Sequence, residues 1–166
     1  MRVEEAFARH HAELYRYAVR FTGDEDLAED VVQEAFVRLA ERPPADATHL
    51  RAWLYRVATT VAIDALRGEG RRLALMRERG DALPVPHPAP DPAADLERDE
   101  LRRRVRAALA ELDQRDRAVL LMREDGFAHR EIAAAVGTTT KSVGTMIARA
   151  LARLAQRLPL DAREGS

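Results

Sequence analysis

The sequence predicts an all-α fold: two small helical domains joined by a Pro-rich linker, the C-terminal one containing a helix-turn-helix. Three observations lead there. Apolar residues recur at three- and four-residue spacing in the long segments, and no stretch sustains the alternation of a half-buried strand. Residues 80–93, GDALPVPHPAPDPA, hold five of the eight prolines. Proline fixes φ and removes a backbone donor, so this piece suits neither a helix interior nor a central strand. Residues 129–148, HREIAAAVGTTTKSVGTMIA, place small and apolar residues around a central glycine, as two short helices joined by a tight turn require. The expected layout is a first domain over 1–75, an extended linker over 76–95 and a second domain over 96–160.

In the first domain, Val3, Phe7, Leu14, Ala18 and Phe21 recur at near-helical spacing over 3–21, and Thr22-Gly23 breaks the run. Asp26 with Glu29 three places on has the form of a capping box, opening a helix whose apolar face is Leu27, Val31, Ala35 and Leu39. Pro43-Pro44 ends it. A third helix is expected from about Thr48 to Arg67, stopping near Gly68 and Gly70, with Leu50, Leu54, Val57, Val61 and Ala65 as its core stripe. In the second domain, helices are expected over 95–112, 114–124, 128–136 and 140–158. Asp113 is the N-cap of the second of these, Gly126 and Gly137 mark turns, and Pro159 is the final stop.

Composition narrows function. The chain has 166 residues, 46% apolar and 33% charged, which is a globular composition. It has no cysteine, so disulfides, thiolate metal sites and cysteine nucleophiles are excluded. The five histidines (10, 11, 49, 87, 129) lack metal-ligand spacing, and no phosphate-cradling glycine loop or nucleophile elbow occurs. No catalytic residue, metal or cofactor is assigned, and a non-enzymatic role is expected. No apolar run approaches the roughly 18 residues of a membrane span. The N-terminal MRVEEAFARHHAEL is acidic and amphipathic without a signal-peptide core, so a cytoplasmic protein with no membrane insertion is expected. Net charge is −1, so any affinity for nucleic acid must come from local charge.

Three local patterns stand out. Between Asp24 and Glu34 lie six acids and no base, beside an apolar stripe; this helix faces either solvent or a basic protein partner. Residues 51–79 carry seven arginines against three acids, a local net of +4, with Trp53 and Tyr55 interleaved. Arg56, Thr60, Ile63 and Arg67 form a stripe opposite the core, and charge with rings suits single-stranded nucleic acid. A buried Trp53 on a solvated basic helix fits the same residues, and Asp64 is expected to pair with Arg67 or Arg56. In 129–148, Ile132, Ala133 and Val136 precede Gly137, and Val143 and Met146 follow where a second helix must pack back. Thr140 is expected to cap that second helix. Its exposed side would then show Lys141, Ser142, Thr145 and Arg149, at the N-terminal part that reaches base edges in a major groove. An ordinary αα-hairpin has the same spacing.

Taken together and in order, these segments resemble a bacterial RNA polymerase sigma factor of the extracytoplasmic-function (ECF) group of the sigma-70 family. AEDVVQEAFVRL (28–39) resembles the family's core-polymerase-binding helix. RAWLYRVATTVAIDALR (51–67) resembles its helix for melting and reading the −10 promoter element. ALAELDQRDRAVLLMREDGFAHREIAAAVGTTTKSVGTMIARALARL (108–154) resembles its −35 domain.

The resemblance implies that Asp30, Gln33, Glu34 and Arg38 dock on the clamp of the largest subunit of core polymerase. It implies that the −10 element is taken by His49, Arg51, Trp53, Arg56, Thr60, Ile63, Arg67, Arg71 and Arg72, with the loop at about 43–50. It implies that −35 DNA is met by Arg130, Thr140, Lys141, Ser142, Thr145 and Arg149. RNA polymerase core and promoter DNA are the implied partners, with an anti-sigma factor as a further candidate. Thr60 stands where the family commonly has Asn, and Gly144 and Met146 stand where many members have Lys and Arg. The first replaces a usual DNA-contacting amide by a hydroxyl, and the latter two imply an altered −35 preference rather than lost binding.

Two rival readings have distinct consequences. A stand-alone helix-turn-helix regulator with a helical sensor domain would bind duplex DNA tightly without polymerase. A purely helical interaction protein would tolerate alanine at Arg56, Arg67, Arg71 and Arg72.

Overall fold

The structure, a computed structural model, describes residues 2–83 and 96–158, with 96 and 97 described by backbone alone. The described residues contain seven α-helices and no strand, and the chain divides into two compact units, Met1–Ala89 and Pro90–Ser166. The proline-rich stretch from residue 84 to 95 and the expected stop at Pro159 lie outside the described residues.

The first unit is three helices: α1 (Val3–Thr22), α2 (Glu25–Glu41) and α3 (Leu50–Arg79), with a 3-10 turn at Ala47–His49. Leu14, Tyr17 and Phe21 of α1 meet Val31, Val32, Ala35 and Leu39 of α2 and Leu50, Leu54, Tyr55, Ala58 and Ala62 of α3 in one buried core. Burying each large apolar side chain of this kind contributes about 1.5–3 kcal/mol. Phe7, of the same helical run, is 47% exposed and lies against the Phe36 ring, centroids 5.0 Å apart.

Helix α2 is capped by Asp24, not by the expected Asp26–Glu29 box. The Asp24 carboxylate accepts from the N–H of Asp26 (2.9 Å) and of Leu27 (3.1 Å). The turn after α1 finishes early, because the Thr22 hydroxyl accepts from the Asp24 N–H at 3.2 Å and leaves Asp24 extended at the helix mouth.

Helix α3 departs from expectation twice. It passes Gly68 and Gly70 and ends at Gly80, whose φ of 74° supplies the left-handed residue that closes the helix. A mid-helix glycine costs only about 1 kcal/mol relative to alanine, too little to stop a helix by itself. Its core stripe is also rotated. Val57, Val61 and Ala65 are half-buried, while Tyr55, Ala58, Thr59 and Ala62 are fully buried. Tyr17 of α1 causes this: its ring packs on Tyr55 at 4.7 Å, and its hydroxyl and that of Thr59 lie 2.6 Å apart. Thr59 in turn donates to the Tyr55 carbonyl at 2.7 Å. Small Ala58 and Ala62 are then fully buried on the same side of α3.

The second unit contains α4 (Leu96–Ala110), α5 (Gln114–Glu124), α6 (His129–Val136) and α7 (Thr140–Arg157). Asp113 caps α5 as expected, accepting from the Arg115 N–H at 2.9 Å. The first turn of α5, within DQRDR (113–117), ties the other helices together. Arg117 is buried and donates to the carbonyls of Leu109 (2.9 Å), Ala110 (2.9 Å) and Leu112 (3.3 Å), closing the C-terminal end of α4. Burial pushes its guanidinium pKa below the ordinary arginine value. Arg115 donates to the carbonyls of Val136 (2.9 Å) and Gly137 (3.0 Å), closing α6. Val119, Met122, Phe127, Ile132, Val136, Val143, Met146 and Ile147 fill the core between α5, α6 and α7.

Candidate nucleic-acid interface

The helix-turn-helix is built from α6, the turn at Gly137 and α7. Gly137 has φ 71°, a conformation that costs other L-residues steric strain, and it turns the chain directly into the next helix. Thr139, one residue before the expected Thr140, is the cap. Its hydroxyl accepts from the Ser142 N–H at 3.2 Å and lies 2.8 Å from the Ser142 hydroxyl. The chain is still extended at Thr139 (φ −91°, ψ 153°), whereas Thr140 has already entered the helix. Val143 and Met146 face inward and are buried. Met146 therefore acts on packing, and only Gly144 of the two departures lies on the exposed face.

That exposed face carries Lys141, Gly144, Thr145, Ala148 and Ala152, with Arg130 exposed on α6. A Cβ at Gly144 would meet nothing within 4 Å. Ser142 is half-buried with its hydroxyl engaged by Thr139. Arg149 is exposed at its edges but not free. Its guanidinium donates to the Asp116 carboxylate at 2.7 and 3.3 Å, and Arg153 reaches the same carboxylate at 3.5 Å. The hydrogen bond and charge of Asp116 raise the Arg149 pKa above its ordinary value.

On α3, Arg56, Thr60, Ile63, Arg67 and Arg71 follow one another along the flank away from the core. Arg56, Arg67 and Arg71 are exposed, and Ile63 is half-buried. Thr60 donates back to the Arg56 carbonyl at 3.1 Å. Asp64 pairs with neither Arg56 nor Arg67; it is exposed and points into solvent, where such a pair gains little. Arg72 pairs with Glu69, whose hydrogen bond and charge raise its pKa. Arg51 is drawn toward α1, donating to both oxygens of Glu13 at 3.1 and 3.0 Å and lying over the Tyr55 ring at 5.4 Å. His49 is exposed at the end of the 3-10 turn, and Trp53 is half-buried rather than a core residue. The helix around it is rotated toward Leu54 and Tyr55, which leaves the indole at the rim.

Helix α2 presents Asp30, Gln33 and Arg38 as exposed residues, with Glu34 half-buried beside them. Glu34 and Arg38 form an ion pair at 2.8 Å. An exposed pair of this spacing contributes only about 0.3–0.5 kcal/mol, so it leaves both groups available to a partner.

Two family models match, in order: Sigma-70 region 2 over residues 6–72 and Sigma-70, region 4 over residues 102–154. The chain belongs to the sigma-70 family, in its ECF group. The region 2 match covers α1, α2 and most of α3, and the region 4 match holds the helix-turn-helix. Among curated relatives, the ECF sigma factor SigG of Mycobacterium tuberculosis is 34% identical over 86% of this chain and 45% of its own length. SigE of Mycolicibacterium smegmatis is 29% identical over 97% of this chain and 63% of its own. The chain thus spans less than two thirds of the length of these relatives. Among solved structures, the sigma factor RpoE of Bartonella quintana, in complex with the anti-sigma factor NepR, shares the fold with a TM-score of 0.75 and 21% identity, covering 95% of this chain and 97% of that one. CnrH, in complex with the cytosolic domain of CnrY, matches with a TM-score of 0.67 and 27% identity over 96% of this chain and 89% of that one.

The sigma-70 sequence pattern did not point to Asp116, Arg153, Arg115 or Arg117. DQRDR carried a visible signal in its density of charge: the helix dipole accounts for Asp113 and Asp116 at a helix start but not for Arg115 and Arg117 there. No described helix is long and apolar enough to cross a membrane.

Proposed function

We propose that the chain is a promoter-specificity subunit of bacterial RNA polymerase, acting in the cytoplasm. Asp30, Gln33, Glu34 and Arg38 on α2 dock on the clamp of the largest core subunit. His49, Arg51, Trp53, Arg56, Thr60, Ile63, Arg67, Arg71 and Arg72 take the opened −10 strand. The helix-turn-helix binds −35 DNA through Arg130, Thr140, Lys141, Ser142, Thr145 and Arg149. The observation that carries this reading is the ordered pair of sigma-70 regions on a chain whose first unit joins an acidic exposed helix to a basic exposed one. Stand-alone DNA binding needs no acidic helix, because such a surface repels phosphate. The N-terminal half of α7, where Lys141 is the one basic residue before Arg149, also fits, since a helix brought to DNA by polymerase need only discriminate between bases there. RpoE was solved with the anti-sigma factor NepR, and an anti-sigma factor is the expected inhibitor here.

The test is core binding and promoter selection with the same variants. Glu34→Lys and Gln33→Ala should weaken capture by core polymerase while leaving the circular-dichroism spectrum unchanged. Substitutions at Lys141, Ser142 or Thr145 should change −35 preference without changing core affinity. Core binding unaffected by the first pair, or tight wild-type binding to promoter duplex without polymerase, would overturn the proposal.

A further inference from the structure

Resting on that reading, we propose that Asp116 is a positioning residue that sets Arg149 and Arg153 as a fixed fork for a DNA phosphate. Asp116 sits in the first turn of α5, outside the helix-turn-helix, and its side chain is 1% exposed. Both arginines that reach it stand four residues apart on α7 and are about half exposed, at 50% and 53%. A buried carboxylate is stable only when paired and hydrogen-bonded, and here both partners come from the recognition helix. Each guanidinium spends part of its donor set inward and keeps the rest at the surface.

The arrangement has a consequence for Arg149. A guanidinium held by two bonds to Asp116 cannot swing along the groove to follow a base edge, so it suits a phosphate, whose position barely depends on sequence. Its rigidity is useful in another way. Two pinned donors at the C-terminal part of α7 fix the helix against the DNA backbone and set how Lys141 and Thr145, two turns earlier, meet the bases. Arg149 and Arg153 thereby orient, and the residues near the α7 N-terminus discriminate.

Sign separates this role from simple electrostatics. Removing the Asp116 charge leaves two arginines with more net positive charge near DNA, which by Coulomb attraction alone strengthens binding to any sequence. Loss of positioning instead weakens the selected −35 sequence relative to others. The experiment uses full chain with core polymerase and two fluorescent duplexes, one with a −35 element selected by the holoenzyme and one with that element scrambled. Asp116→Asn should lower the affinity ratio between them roughly tenfold, the size of one lost charge-assisted contact, with scrambled binding equal or tighter. Arg149→Lys keeps the charge but not the fork and should lower the ratio similarly; it carries the test if Asp116→Asn does not fold. A merely structural role would lower the melting temperature and leave the ratio unchanged well below it. An unchanged or raised ratio in the folded variants overturns the fork. A wild-type holoenzyme with no preference between the duplexes overturns the functional reading itself.

Discussion

Replacing Arg117 with methionine keeps most of the aliphatic stem in place and deletes the guanidinium that closes α4. Three carbonyls lose a donor: those of Leu109, Ala110 and Leu112. Ala110 is exposed and water can replace its bond, and the Leu109 carbonyl keeps the Leu112 N–H at 3.1 Å, whereas the buried Leu112 carbonyl is left without a donor. Stranding the Leu112 carbonyl costs about 1–3 kcal/mol, and losing the charged bonds to the other two carbonyls adds about 1 kcal/mol, a loss of about 2–4 kcal/mol. Against this, the variant no longer buries a cation, and the lowered Arg117 pKa gives the sign of that relief. A net destabilisation of about 2 kcal/mol is expected. A domain of this size loses about 4–8 °C per kcal/mol, so the melting temperature of the second unit should fall by about 8–16 °C. Far-UV circular dichroism of the full chain during heating reads the change. Arg117→Lys should fall between wild type and methionine, since one amine cannot reach all three carbonyls. A methionine variant melting within about 2 °C of wild type would refute the reasoning, because it would mean that the buried Leu112 carbonyl needs no donor.

Other predictions concern single elements. Asp24→Ala should cost about 1 kcal/mol in urea unfolding, while Asp26→Ala, at the position the sequence suggested as the cap, should cost less than about 0.5 kcal/mol; the reverse order would contradict the observed cap. Gly144→Ala should stabilise the second unit by about 0.5–1 kcal/mol in a thermal melt, since α7 is helical there and a Cβ meets open space. No gain would mean that α7 is not helical at that position in solution.

Much of this fold was legible because its signals are local. Apolar spacing located the helices, and Gly137 and Asp113 marked boundaries by their own backbone chemistry. The misplacements share a cause: several residues of one type compete for one role, and packing chooses among them. Gly68, Gly70 and Gly80 all follow α3's apolar stretch, and only Gly80 takes a positive φ. Val57 and Ala58 both suited the core face, and Tyr17, forty residues away in sequence, selected the alanine. For the candidate interface, sequence pattern indicated which faces are basic, acidic or smooth. It could not indicate that Arg51 is held by Glu13 or Arg149 by Asp116, because ion pairs across 38 and 33 residues leave no periodic trace.

The most direct measurement is run-off transcription with purified core RNA polymerase, this chain and a library of genomic fragments. The account predicts discrete transcripts that appear only when the chain is added, share −10 and −35 elements upstream, and are lost with Glu34→Lys. Transcription indifferent to the chain, or starts without a shared upstream element, would contradict it.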